Sequence, residues 1–153
     1  MGPSAVDPDC AFCAIVSGGE RASRVYEDDR VLAFMDIHPA APGDLLVIPK
    51  AHVEGLEDVD EDLMAHLFRV VHLLTRGLRR SGLRCEGVNV FLADGEAAEQ
   101  TVFHLHVHVF PRTWDDAFRL EVRWQERSRA ALDDDAERIR AGLERGRHHP
   151  GQP

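Results

Sequence analysis

Gln100-Thr101-Val102-Phe103-His104-Leu105-His106-Val107-His108-Val109-Phe110 alternates imidazoles with apolar side chains. A period of two predicts a β-strand over 101–110, closed by Pro111, because neighbouring side chains of an extended chain point to opposite faces. Phe103, Leu105, Val107 and Val109 would line a core face. His104, His106 and His108 would share the other, roughly 6.5–7 Å apart. Three imidazoles in a row bury poorly without partners. Three readings of that face stay open. It is a metal site, since histidine is a common zinc ligand. It is a site for phosphate chemistry, where one imidazole attacks and a neighbouring imidazolium stabilises an anion or protonates a leaving group. Or it is an exposed strand face with incidental histidines.

Outward from this stretch, Leu45-Leu46-Val47-Ile48 lies between Pro42-Gly43 and Pro49 and reads as a buried strand. Residues 25–27 and 31–35 read as strands joined by a turn at Asp28-Asp29, and 87–92 as another, followed by a tight turn at Asp94-Gly95. Residues 60–80 carry Leu63, Met64, Leu67, Phe68, Val71, Leu74 and Leu78 at helical spacing, with Asp60 as N-cap and Gly82 as stop. His66 and His72 would sit on the surface or boundary of that helix. The apolar stretch 11–17 reads as a short helix or turn stopped by Gly18-Gly19, and residues 1–9 as disordered. The sum, over 10–113, is an α+β domain: an antiparallel sheet backed by a helix. Residues 114–153 form an extension. It contains a long polar helix over 125–145, with Leu132, Ile139 and Leu143 on one side and Asp133-Asp134-Asp135 on a solvated face, and a frayed tail holding His148 and His149.

The chain has 153 residues, enough for one ordinary domain and one core. Hydrophobic residues at 44% and charged residues at 29% place it among globular proteins. A net charge of −9 gives no general attraction to nucleic acid or anionic membranes, so neither is an expected partner. An anionic substrate would have to be drawn in locally. No apolar run is long enough to span a bilayer, and residues 1–9 lack the charged and apolar regions of a secretory signal. Cysteines number three, and Cys10 and Cys13 are too close to staple a long loop, so a reducing cytoplasm is the simplest compartment.

The stretch 100–109 resembles the signature of the histidine-triad (HIT) family of nucleotide hydrolases and transferases. Val25-Tyr26-Glu27-Asp28-Asp29 with Leu32-Ala33-Phe34-Met35-Asp36-Ile37 is similar to that family's first two strands, and Leu45-Leu46-Val47-Ile48-Pro49-Lys50-Ala51-His52 to its third strand and exit. The blocks stand in family order and span roughly residues 10–112. The resemblance implies an antiparallel sheet with flanking helices, usually dimeric. It makes His106 the nucleophile that attacks a nucleotide α-phosphate, giving a covalent nucleotidyl-histidine resolved by water or another acceptor. It places His108 on the phosphate, Thr101 on the phosphate and leaving group, and Gln100 beside them. Asp36 would accept hydrogen bonds from ribose hydroxyls, and Phe12, Ile15, Phe34, Ile37 and Leu46 would form the base pocket. A carboxylate suits a ribose diol and an apolar slot suits a purine. Without the triad, Asp36 reads as a turn cap and Phe34 as plain core.

Cys10-x-x-Cys13 alone is a zinc half-site, a redox pair or an accident. A redox role would want the pair at the end of a strand in a βαβ unit, which this position does not offer. Resemblance to zinc-containing bacterial members adds His52 and His104, a Cys₂His₂ set that closes a tetrahedral, structural site and leaves His106 and His108 for chemistry. The alternative is two buried reduced cysteines. Cys85 matches no role beyond structure. Three positions depart from the family pattern: Asp44 where many relatives have histidine, Ala93 where many have asparagine, and Glu99 where glycine is frequent. Asp44 could orient a triad imidazole, or be a surface acid at the start of a strand.

Three functions follow. One is hydrolysis of nucleoside 5′-phosphoramidates or acyl-nucleotides to a purine nucleoside monophosphate. The second is dinucleoside polyphosphate hydrolysis or phosphorolysis, which would favour basic residues near the site. Arg112 is the main candidate for that, and Lys50 is less well placed. The scarcity of such residues leans towards the first. The third is a non-catalytic nucleotide-binding dimer.

Overall fold

The computed structural model describes residues 6–147. In chain order the elements are α1 (Ala11–Ser17), β1 (Arg24–Glu27), β2 (Val31–Met35), β3 (Leu45–Pro49), α2 (Glu61–Arg80), β4 (Gly87–Phe91), a 3-10 turn (Glu96–Ala98), β5 (Val107–Arg112) and α3 (Arg129–Arg147). The strands make one antiparallel sheet in the order β1-β2-β3-β5-β4. This is the expected α+β architecture. No helix among the described residues is long and apolar enough to cross a membrane.

Period-two alternation splits the sheet into two apolar layers. Val31, Ala33, Val47, Val107 and Val109 face α2 and pack with Leu67, Val70 and Leu74. Leu32, Phe34, Leu46 and Ile48 face the other way, against Phe12 of α1. Helix α2 starts where Asp60 accepts a hydrogen bond from the Leu63 N–H at 2.8 Å. Helix α1 stops at Gly18, whose φ of 83° suits the left-handed cap.

The β1–β2 turn is held by one carboxylate. Asp28 Oδ1 accepts from the N–H groups of Arg30 and Val31, and Oδ2 from the Tyr26 hydroxyl and His66 Nε2. Burial pushes this carboxyl up, but the hydrogen bonds outweigh it and hold the group well below the usual carboxylate range. A depressed folded pKa adds stability above the unfolded value and loses it as pH falls. Asp28→Asn is expected to cost about 2 kcal/mol at pH 7. Urea midpoints at pH 7 and pH 3 should show the gap to wild type closing below about pH 4.

The structure corrects two expectations. The long strand over 101–110 is shorter and displaced to Val107–Arg112. Continued past Val47↔Val107, the β3–β5 register would bring Leu105 opposite Pro49, which has no N–H to donate. The Leu105 N–H bonds the Val53 carbonyl instead, at 2.7 Å. Phe103 consequently leaves the core face and is half exposed, and Pro111 lies within the strand. Residues 7–9, expected to be disordered, form a turn in which Asp7 bonds Cys10 and Asp9; residues 1–5 lie outside the described residues.

The first compact unit runs to Phe118. Arg112 grips Asp116 at 2.7 and 2.9 Å and lies 4.7 Å over the Phe118 ring, which packs on Phe110. The second unit begins at Arg119 and contains α3, which starts after Ser128 rather than at 125 because the Ser128 hydroxyl accepts from the Ala131 N–H. The expected frayed tail with His148 and His149 lies outside the described residues.

Candidate functional site

Helix α1 and the sheet face opposite α2 bound a cavity of about 660 Å³, a size suited to a small ligand. Phe12 and Ile15 of α1 form one wall, with Phe34 and Leu46 on the sheet. Asp36 and Ile37, just past β2, and Thr101, His106 and His108 complete the part of the lining expected from sequence. Glu20 and Arg21 also line it, which the sequence reading missed. They follow α1 in an irregular stretch, where no periodic signal marks which side chains turn inward.

His106 is buried, and its ring stands edge-on to Phe12, centroids 5.3 Å apart. Its Nδ1–H donates to the His104 carbonyl at 2.8 Å. That bond fixes the tautomer and leaves Nε2 with its lone pair on the far side of the ring. Burial lowers the His106 pKa, against the opposing effect of the His104 carbonyl, so the ring is neutral at pH 7. A neutral, oriented imidazole beside an apolar cavity keeps the free lone pair that nucleophilic chemistry requires. Next to it, His108 Nδ1 lies 3.7 Å from Asp36 Oδ2 and 3.6 Å from Asp44 Oδ1.

A second cluster lies at the start of α1. The Cys10 thiol caps the helix by accepting from the Cys13 N–H, which puts both sulfurs on one side. Cys10 Sγ is 3.4 Å from His104 Nδ1, and Cys13 Sγ is 3.4 Å from His52 Nδ1 and 3.6 Å from His104 Nδ1. Zinc bonds of about 2.3 Å to sulfur and about 2.0 Å to nitrogen, at tetrahedral angles, separate S and N by about 3.5 Å. The four ligand atoms lie within 4.8 Å of one another, so the donor set fits zinc in type and spacing. His104 Nε2–H donates to the Pro49 carbonyl at 2.8 Å, which turns the Nδ1 lone pair towards the sulfurs. Burial pushes the His104 pKa down to about 4, so the ring is neutral as a ligand must be. Asp7 adds a carboxylate 3.7 Å from His52 Nε2.

Other expected residues lie elsewhere. Gln100 is buried and does not line the cavity. Its amide donates to the Glu54 and Val102 carbonyls and accepts from the Gly95 N–H, so it clasps the loop before the triad. Arg112 is committed to Asp116 and Asn89, and Lys50 to Glu27. Neither lines the cavity, whose cationic side chain is Arg21. Ala93 is buried outside the cavity. Glu99 is exposed at φ 65°, and its carboxylate stays out of the lining. The Cys85 thiol donates to the Gly87 carbonyl, a structural role.

The HIT domain family model matches residues 18–114. A solved Streptococcus mutans structure superposes with a TM-score of 0.88 at 37% identity, covering 94% of this chain and 90% of that one. A zinc-bound histidine triad family protein from Mycobacterium smegmatis superposes with a TM-score of 0.70 at 41% identity, covering 84% and 96%. The adenosine 5′-monophosphoramidase HNT1 of Candida albicans is 34% identical over 118 residues, 75% of this chain and 77% of that protein. The match over most of the sheet, together with His106 and His108 on the wall of an apolar cavity, places this chain in the HIT domain family.

Proposed function

We propose that this chain is a nucleotide hydrolase that cleaves nucleoside 5′-phosphoramidates or acyl-nucleotides to a purine nucleoside monophosphate. The observation that carries this reading is the placement of His106, with Nδ1 tied to the His104 carbonyl at 2.8 Å and the ring on the wall of an apolar cavity. Nε2 attacks the α-phosphorus, and the bond from phosphorus to the leaving nitrogen or acyl oxygen breaks. The departing group takes the bonding electron pair; an amine also takes a proton from solvent, which the water of the second step returns, and a carboxylate leaves as the anion. Water then attacks phosphorus, the P–Nε2 bond breaks, and the monophosphate leaves. His108 and Thr101 contact the phosphate, Asp36 the ribose, and Phe12, Ile15, Phe34, Ile37 and Leu46 the base. The phosphoramidase activity named for the Candida relative supports this choice of substrate.

The Cys10, Cys13, His52 and His104 set is read as a structural zinc site, supported by the zinc-bound Mycobacterium neighbour. Zinc there would supply a crosslink between α1 and the sheet, with all four positions filled by protein. The protein is also read as a cytoplasmic homodimer. Strand β4 is a sheet edge with Val90 and Phe91 exposed, and the three cysteines are unpaired thiols.

Diadenosine tetraphosphate is the discriminating competitor. A polyphosphate chain needs several cations, each worth about 1.5–3 kcal/mol, and Arg112 and Lys50 are paired elsewhere. In parallel incubations followed by chromatography, adenosine 5′-phosphoramidate should release AMP at least about tenfold faster than the tetraphosphate is cut. The reverse order would make the protein a dinucleoside polyphosphate hydrolase. Inertness on both, with AMP still bound, would make it a binding module.

A further inference from the structure

Asp44 sits one residue before β3 and is almost fully buried, at 1% exposure. Its backbone N–H donates to the Ala41 carbonyl and its carbonyl accepts from the Asp36 N–H. Oδ2 accepts from the Ala40 N–H at 2.8 Å. Oδ1 is buried with no hydrogen-bond partner. A buried carboxylate oxygen left uncompensated is strongly unfavourable. The group within reach that can carry a positive charge is His108, with Nδ1 at 3.6 Å. The same nitrogen lies 3.7 Å from Asp36 Oδ2, and Asp36 Oδ1 is tied to the His38 N–H. Two carboxylates, each anchored through one oxygen to a backbone N–H, thus aim the other oxygen at one ring nitrogen. The ring also meets His106, at 5.3 Å between centroids, and the apolar Phe91, and Leu46 is its cross-strand partner.

We infer that Asp44 is a positioning residue: it holds His108 as the Nδ1-protonated imidazolium and so presents Nε2–H, on the opposite side of the ring, as a fixed cation for the α-phosphate. The identity of that anion rests on the hydrolase reading above; the geometry does not. Asp36 alone is not sufficient. It lines the cavity and is the carboxylate a ribose would engage. Asp44 lies behind the cavity wall and remains on His108 when a ligand arrives. The two adjacent imidazoles are thereby given different duties by their environments. His106 faces a carbonyl and attacks as the neutral ring, while His108 faces two carboxylates and carries the charge.

The test is ¹⁵N NMR of the histidine side chains at pH 7, with His108 assigned through His108→Gln. Both His108 ring nitrogens should be protonated in wild type, and the ring should be neutral in Asp44→Asn at the same pH. The asparagine keeps an oxygen for the Ala40 N–H, so the unfolding midpoint should hardly move. Its kcat on adenosine 5′-phosphoramidate should fall about 10- to 100-fold, the value of a hydrogen bond to a charged group. The upper limb of its pH profile should shift to lower pH, which a merely structural role would not cause. A neutral His108 in wild type overturns the inference whether or not the variant folds. So does an unchanged His108 signal in Asp44→Asn. Neither result needs turnover, so failure here is distinct from failure of the hydrolase reading. One equivalent of Mn²⁺ bound by wild type and lost in Asp44→Asn, read by electron paramagnetic resonance, would also overturn it, in favour of a cation among Asp36, Asp44 and His108.

Discussion

His106→Ala is expected to reduce AMP release from adenosine 5′-phosphoramidate by at least about four orders of magnitude, while AMP affinity stays within a few-fold. The substitution removes the atom to which phosphorus would be bonded, and no neighbour is placed to replace it. His104 is held with Nε2–H on the Pro49 carbonyl and Nδ1 on the two thiols. His108 has Nδ1 directed at Asp36 and Asp44. Binding survives because its main sources are elsewhere: the apolar wall of Phe12, Phe34 and Leu46, and the Asp36 carboxylate. Single-turnover assays with the phosphoramidate, beside calorimetry with AMP, separate the two quantities. Phosphoramidate cleavage persisting in His106→Ala within about tenfold of wild type would remove the covalent mechanism and leave direct attack by water.

Where local pattern dictates structure, the sequence could be read directly. β2, β3 and α2 are delimited by their own periodicity and by Asp60, Pro49 and the Asp28-Asp29 turn, and they lie within a residue of the expected bounds. The triad stretch misled as to strand because its alternation coincides with chemistry of another kind. His104 is turned to the thiols by the Pro49 carbonyl, and Leu105 is held by Val53, both brought close only by the fold. Gln100 shows the same limit: nothing local says that its amide will bridge Gly95 and Glu54. Arg21 and the burial of Asp44 are likewise tertiary outcomes, visible only once α1 and the loop before β3 are in place. The apolar wall, Asp36, Thr101 and the Cys/His set are picked out in sequence through the family resemblance, since residue pattern alone leaves Asp36 a turn cap, Phe34 plain core and the Cys10-x-x-Cys13 pair ambiguous.

The other large effect is expected from Cys13→Ser. Wild-type protein purified without an affinity tag should carry one zinc per chain by elemental analysis, and the variant well under one. Its unfolding midpoint should fall by an amount equivalent to at least about 4 kcal/mol, since a structural zinc contributes its binding free energy to folding. With no cation bound, burial raises the Cys13 thiol pKa and Cys10 adds to the rise, against the lowering by the Asp7 N–H. A bound cation would reverse that and keep the sulfur as thiolate. The consequence reaches the chemistry through one residue. His104 would hold zinc with its ring while its carbonyl holds His106 Nδ1 at 2.8 Å. Helix α1, tied down through Cys10 and Cys13, carries Phe12 and Ile15 of the cavity wall. Loss of zinc should therefore weaken AMP binding and slow turnover together, even at a temperature where the variant remains folded. Wild-type protein with negligible zinc and a midpoint equal to that of Cys13→Ser would instead make the pair two packed thiols, and α1 would then be held by Phe12, Ile15 and Val16 against Leu32, Phe34, Leu46 and Ile48, and by the Arg24 bond to the Ile15 carbonyl.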